Sequence, residues 1–425
     1  MTVVLTEQIK LTFASEEDRI LADQAFSKVT KRYADACTYV SEYFFRDEYV
    51  GSVQSLQSLL YKDVRFMFGL KSQMTVSVFK TVVAKYKTVE EQMKQQTVSY
   101  SDGNGTNYLF HKSLEWMQSP ICFRRPQADL VRGRDWGFLS GMTEVSINTL
   151  SRRVKCTYDC RKDSRLFDPS WKHGGAKLVF HETDKNWYLH ISVSKVFPET
   201  GRSRIRAIDG HDRGLIDLTT SCKENGAIIY QSGQHVSEVK ERYAKIRASL
   251  QSKGTKGAKR TLKRISGREN RMMQDKDHCI SKTLVTGNRE HTLHVFENLS
   301  GISFENLESR DASGRYALRS WTFYSLEQKT AYKAAMRKGM ILKVDPKFTS
   351  QRCPACGTID KTARDRLHHK YTCKQCGSTY GDDEVASINL RQLGVLYVSG
   401  VDEPRFSKYQ KTVGVLSQCA QKPPI

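Results

Sequence analysis

Four cysteines near the C-terminal end constrain this chain more than any other feature. Cys353 and Cys356 form one CxxC pair and Cys373 and Cys376 a second, with sixteen residues between them. A glycine follows each pair, Gly357 and Gly377, and lets the backbone turn tightly round the sulfurs. Four thiolates at this spacing suit a single tetrahedral zinc ion in a structural role. Cys37, Cys122, Cys156, Cys160, Cys222, Cys279 and Cys419 show no comparable pattern. An odd total of eleven cysteines, four of them assigned to metal, fits a reducing cytosol.

Charge narrows the class of partner. The chain has 425 residues, enough for two to four domains, and 68 Lys and Arg against 46 Asp and Glu. A formal charge of +22, spread over most of the length, favours a polyanion, nucleic acid ahead of a membrane surface. No apolar run is long enough for a spanning helix, and the start, MTVVLTEQIKLTF, lacks a secretory signal pattern.

Hydrophobic periodicity divides the rest. Residues 3–12 alternate as one strand. Residues 15–115 read as mainly helical, with Ala22, Phe26, Val29, Tyr33 and Ala36 on one face and Leu56, Leu60, Val64 and Met67 on another. Lys85, Tyr86 and Tyr108 fit either a nucleic-acid-gripping face or a core with solvated lysines. From 118 to 200 short β-prone runs predict a small β domain, with Trp187, Leu189, Ile191 and Val193 on one side of the last strand. Arg124, Arg125, Arg132, Arg134, Arg152 and Arg153 are candidate phosphate contacts or a solvated basic surface. From Arg204 the order is three strands, helical segments, strand, helix, strand and a final helix, as in an RNase H-type fold. Within the helical segments SKGTKGAKRTLKRISGREN reads as a mobile or solvent-exposed connection.

In that order three carboxylates can converge at one side of the sheet. Asp212 lies in the turn after the first strand, Glu297 ends the strand HTLHVFE, and Asp383 opens the last helix. A two-metal nuclease needs such a cluster, because magnesium prefers oxygen ligands and substrate phosphate completes its shell. Taken singly, Asp212 is equally a turn residue, Glu297 a surface strand end and Asp383 a helix cap.

The motifs GHDRG with LIDLTT, FENLS, SWTFYSLEQKTAYKA, KVDPKFTSQRCPACG and DDEVASINL resemble the TnpB family of insertion-sequence proteins and the related compact type V CRISPR effectors. The match is strongest over about 205–395. The resemblance implies a multidomain α+β fold. A helical recognition lobe (15–117) is inserted in a small β-barrel-like wedge domain (1–14 and 118–203). An RNase H-like (RuvC) α/β domain (204–346 and 381–398) follows, with an inserted four-cysteine zinc ribbon (347–380) and a basic tail (399–425). It implies an RNA-guided DNA endonuclease in which Asp212, Glu297 and Asp383 hold two catalytic Mg²⁺, with Mn²⁺ as an alternative. Cys353, Cys356, Cys373 and Cys376 then hold one Zn²⁺. The implied partners are a guide RNA and double-stranded target DNA, without a membrane, as a monomer or a dimer on one RNA, in the prokaryotic cytoplasm. Asp209 competes for the first ligand position if the register is offset. Trp321, Tyr324 and Gln328 are expected to be structural or to face nucleic acid, and Asn389 matches a family position. Arg391 is either a phosphate contact or a helix-surface residue. Val385 stands where the family usually has Asn, and His211 and Arg213 where small or apolar residues are common, so a guided binder with weak or no cleavage is the main alternative. A transposase-associated DNA-binding protein is a further one, although the order Asp, Glu, Asp differs from the Asp, Asp, Glu of such enzymes.

Overall fold

The structure is a computed structural model and describes residues 1–49, 51–94, 97–101, 107–214, 216–299, 323–365 and 367–408. The chain forms two compact units, residues 2–196 and residues 197–425 with Met1.

The first unit is a sheet with a helical insert. Strand β1 (Thr2–Thr12) leads into α1 (Glu16–Arg46), α2 (Val53–Phe68) and α3 (Ser72–Lys94). A hairpin of β2 (Thr97–Ser101) and β3 (Asn107–His111) follows, then β4 (Gln127–Leu130), β5 (Trp136–Phe138), β6 (Glu144–Asn148), β7 (Arg153–Asp159), β8 (Lys172–His181) and β9 (Asn186–Val196). Seven strands make one curled antiparallel sheet in the order β4-β8-β9-β1-β7-β6-β5. Helix α1 starts where Ser15 Oγ accepts the Asp18 amide (3.1 Å) and three acids occupy the first turn, matching the helix dipole. Its inner face, Ala22, Phe26, Val29, Tyr33 and Ala36, is buried as the periodicity predicts. Phe26 meets Trp187 edge-on, and the Trp187 indole donates to Asp23 (2.8 Å), so the helical insert is keyed to β9. Trp187, Leu189, Ile191 and Val193 share the buried face of β9.

Two expectations for this unit change, at residues 97–101 with 107–111 and at Met67, and one open alternative is decided at Tyr86. Residues 97–101 and 107–111 form strands rather than helix; TVSYS is rich in β-favouring residues and alternates. Tyr86 is core, its hydroxyl 2.9 Å from Ser41 Oγ, so it grips no ligand. Met67 is half exposed instead of joining Leu56, Leu60 and Val64 inside. The Tyr108 side chain lies outside the described residues.

The second unit is built on a five-stranded sheet. Its strands are β10 (Ala207–Asp212), β11 (Asp217–Cys222), β12 (Ile228–Ser232), β13 (Thr292–Glu297) and β14 (Met340–Val344), in the order β12-β11-β10-β13-β14. The first three are antiparallel, and β10, β13 and β14 run parallel. Helices α4 (Gln234–Lys253), α5 (Lys256–Ile265), α6 (Arg268–Val285) and α7 (Phe323–Met336) lie between strands in sequence. The ribbon strands β15 (Arg364–Asp365), β16 (Lys370–Thr372) and β17 (Thr379–Gly381) run into α8 (Asp382–Val398). This is the element order of the RNase H-type fold.

Alternation along β10 and β13 decides which side chains can meet. Leu293 and Val295 pack with Leu390 and Leu393 of α8 on one face. Phe296 packs on the other with Leu218, Val236, Met273, Ile280, Leu284 and Leu326. Both faces are covered, which is why apolar Phe296 follows Val295 out of alternation in β13. Gly210 faces α8 so closely that a Cβ there would lie 2.2 Å from the Ser387 carbonyl oxygen. Strand and helix therefore touch backbone to backbone. The basic segment expected to be a mobile or solvent-exposed connection is indeed mostly exposed, but it forms helix α5, with Thr255 capping the Ala258 amide (3.2 Å). Trp321 lies outside the described residues.

Candidate active site

Three predicted acids come together on the α8 side. Asp212 is the last residue of β10 rather than a turn residue, and Glu297 is the last of the neighbouring parallel strand β13. Both therefore sit at the carboxyl ends of strands, where open α/β sheets present their ligand sites. Asp383 is in the first turn of α8; the N-cap is Gly381, so Asp383 is not spent as a cap. A Cβ on Gly214, two residues past Asp212, would lie 3.7 Å from Asp383 Oδ2.

Electrostatics reports the same meeting. Burial pushes the Asp212 carboxyl well above its ordinary range, and the charges of Glu297 and then Asp383 push it further. Burial also raises Glu297, against hydrogen bonding from Thr349 and the charges of Arg213 and Arg364. Asp383 is raised by burial and by the neighbouring charge of Asp382. Thr349 Oγ1 stands 2.5 Å from Glu297 Oε1, so the segment entering the ribbon fixes that carboxylate's rotamer.

Arg364 is the residue the sequence did not single out. From β15 it donates through Nε and Nη2 to Asp382 Oδ2 (3.1 and 2.9 Å) and reaches Asp383 Oδ1 at 3.5 Å. Its charge acts on Asp212, Glu297 and Asp383 alike. In sequence it is one cation among Lys361, Lys370 and Lys374; only the fold of the ribbon turns it inward.

Asp209 goes elsewhere. It lies on the opposite face of β10, where its carboxylate takes Lys223 Nζ (2.9 Å), Asn288 Nδ2 (2.8 Å) and the Glu224 amide (3.1 Å). His211 and His294 are beside it, Nε2 to Nδ1 at 3.0 Å, with His211 Nδ1 2.8 Å from Ser221 Oγ. The ligand atoms of Asp209, His211 and His294 lie within 4.8 Å of one another, close enough to hold a metal ion. A lysine ammonium already neutralises the only carboxylate, however, and the imidazoles bond each other, so the geometry favours a buried hydrogen-bond network. Burial lowers both histidines, His294 to about 3.

The ribbon cysteines form two matching turns. The amide of Gly357 donates to the Cys353 carbonyl and that of Gly377 to the Cys373 carbonyl, both at 2.9 Å, with φ of +78° and +73°. The four sulfurs lie within 4.8 Å of one another, Cys353 to Cys376 at 3.6 Å and Cys356 to Cys373 at 3.5 Å. Tetrahedral Zn–S bonds of about 2.3 Å require sulfurs about 3.8 Å apart. Hydrogen bonds from the Ser378 hydroxyl and amide lower the Cys376 thiol to about 6, which favours the thiolate a metal needs. Val385 is fully buried against Cys353, Ala363, Tyr371 and Cys373, so it seats the ribbon on α8. Asn389 donates to the carbonyls of Thr349 and Arg352 (2.8 and 2.7 Å) and is structural. Arg391 donates to the Glu224 carbonyl (2.7 Å), and Tyr324 is largely exposed.

Comparison with known proteins agrees with this architecture. The family described as Cas12f1-like, TNB domain, matches residues 323–390. The CRISPR-associated endodeoxyribonuclease Cas12f1 of Sulfoacidibacillus thermotolerans is 29% identical over 229 residues, 51% of this chain and 52% of that protein. The TnpB-like protein MJ0751 of Methanocaldococcus jannaschii is 28% identical over 236 residues, 53% of this chain and 81% of that protein. The chain thus spans about half the length of the Cas12f1 relative. A cryo-EM structure of a Cas12f1–sgRNA–target DNA complex shares the fold with a TM-score of 0.53 at 13% identity, covering 92% of this chain and 98% of that one. No helix among the described residues is long and apolar enough to cross a membrane. In sequence and in fold, the chain is similar to TnpB-like and Cas12f1-type proteins.

Proposed function

We propose that the chain is an RNA-guided, divalent-metal-dependent DNA endonuclease with one RuvC-like active site, cutting double-stranded DNA beside a short recognised motif. One observation carries the reading: carboxylates from three distant parts of the sequence meet closely enough that Glu297 and Asp383 raise the pKa of Asp212. Such a cluster is relieved by cations among the acids. The donors are all hard oxygens, as magnesium or manganese requires. Asp212, Glu297 and Asp383 would hold a metal pair, which when bound supplies an activated water and stabilises the leaving oxygen.

Each side chain then has a task. Asp212 and Glu297 present oxygens from rigid strand ends, and Thr349 holds Glu297 in one rotamer. Arg364 offsets the negative charge and is near enough to Asp383 to meet a non-bridging oxygen of the scissile phosphate. The water oxygen bonds to phosphorus, the P–O3′ bond breaks, and the 3′ oxygen takes up a proton. The products carry 5′-phosphate and 3′-hydroxyl ends. Cys353, Cys356, Cys373 and Cys376 hold one structural zinc.

Guidance by RNA is supported by the fold shared with a protein solved together with sgRNA and target DNA. On this reading residues 15–117 form the recognition lobe, and 1–14 with 118–203 the wedge. Residues 204–346 and 381–398 form the nuclease, 347–380 the ribbon and 399–425 the tail. The protein works in the prokaryotic cytoplasm or on the nucleoid, as a monomer or as a dimer on one RNA.

The test is a cleavage assay with RNA recovered from the native host, magnesium and a randomised DNA library. Cutting should require both RNA and metal, and Asp212→Ala or Glu297→Ala should abolish it while guide-dependent DNA binding persists. Intact DNA with binding preserved would select the guided binder instead. A random mixture of co-purified RNAs would remove guidance altogether.

A further inference from the structure

We infer that Arg213 is a positioning residue: with Glu327 it fixes the strand end that carries Glu297. The inference rests on the reading of Asp212, Glu297 and Asp383 as a metal-binding cluster.

Arg213 follows Asp212 directly but points to the other side of the sheet. Its amide donates to Asp212 Oδ1 (2.9 Å). Its guanidinium Nη2 donates to the backbone carbonyl of Glu297 (2.6 Å), and Nη1 pairs with Glu327 Oε2 (3.4 Å) on α7. The guanidinium carbon lies 5.2 Å from the centre of the Phe296 ring. Both partners of the ion pair are buried, at 2% and 8% side-chain exposure. The other Glu327 oxygen takes Lys343 Nζ of β14 (3.0 Å). One carboxylate on α7 thus ties together, through two cations, the ends of β10, β13 and β14.

The position of this tie gives it a role. Parallel pairing of β10 with β13 runs to His211 opposite Phe296, and Glu297 is one residue past it. The Arg213 contact takes over where that ladder stops, at the residue whose side chain must be held to a fraction of an ångström for metal binding. A planar guanidinium can serve the carbonyl and the carboxylate at once with fixed geometry, whereas a lysine ammonium is a flexible point donor. Groups that orient a metal ligand without touching the metal typically change metal affinity about 10- to 100-fold when replaced.

The experiment is a Mn²⁺ titration of the full-length protein without nucleic acid, followed by EPR, on Arg213→Met, Arg213→Lys, Glu327→Gln and Asp212→Ala. Cleavage kinetics and melting temperatures are measured in parallel. The expected result is about a 10-fold weaker Mn²⁺ affinity for Arg213→Met and Arg213→Lys. Glu327→Gln should show a smaller loss. kcat should fall in the same order while KM for target DNA stays unchanged. Mn²⁺ affinity within twofold of wild type in both Arg213 variants, whatever their melting temperatures, would overturn the inference. If Arg213→Met fails to fold, Arg213→Lys and Glu327→Gln decide. If Asp212→Ala binds Mn²⁺ as well as wild type does, the cluster reading itself has failed, which is a separate outcome.

Discussion

His294 and His211 share a buried contact one layer beneath the acid cluster, and their burial has a consequence for pH. Both are lowered from 6.5, His294 to about 3, chiefly by loss of solvation. A base with a depressed pKa in the folded state stabilises the fold above its unfolded pKa, and that stability is lost as pH falls toward the folded value. The urea midpoint should therefore drop between about pH 6.5 and about pH 3. His294→Gln should flatten that slope, as equilibrium unfolding at several pH values would reveal; an unchanged slope would clear this residue. The same scale explains what the sequence hid. His211, Arg213 and Val385 look like damaged catalytic positions when read against the family. In the fold His211 lies on the opposite face of β10, Arg213 points to that same side just past the strand, and Val385 belongs to the ribbon core. A motif gives spacing along the chain, but not which face of a strand or helix a side chain occupies relative to its partners. Asp212, Glu297 and Asp383 were legible because strand ends and a helix start are fixed by element order alone. Arg364 was not, since only tertiary folding sets it apart from nearby lysines.

Among the elements, α5 departs furthest from expectation. Its inner positions, Ala258, Leu262 and Ile265, are buried or partly buried, while Lys256, Lys259, Arg260, Lys263 and Arg264 are all exposed on the outside. Glycine and charge in SKGTKGAKRTLKRISGREN masked a pattern in which apolar residues still recur at helical spacing. If this face meets a phosphate backbone, replacing Lys259, Arg260, Lys263 and Arg264 by Gln should shallow the salt dependence of RNA binding by up to about four log–log units. Anisotropy titrations from low to high salt measure this, and an unchanged slope would assign the face to solvent. The ribbon allows a second test at this scale. Cys353→Ser should lose zinc and increase protease sensitivity around residues 347–380, because metal affinity is part of this element's folding free energy. It should also slow cutting although all three acids remain, since Arg364 and the Thr349 support of Glu297 both depend on the ribbon and its entry segment.

For the whole molecule, the sum of raised carboxylates predicts how metal and pH act together. Asp212, Glu297 and Asp383 are all raised, so the metal-free protein loses their contribution as pH climbs above the ordinary carboxylate range. A divalent ion that binds only the folded state offsets this loss. The melting temperature should therefore gain more from magnesium at about pH 8 than at about pH 5, and a gain independent of pH would count against a shared site. The charge of +22 belongs to this scale too, setting a partner class and nothing finer. Finally, Arg364 reaches the acids from a short hairpin of the four-cysteine ribbon, so on the proposed reading its placement depends on a sulfur-bound ion. Scarcity of one trace element would then disarm chemistry that runs on a different and abundant one. A selective chelator should silence the protein with every reacting group still in the sequence.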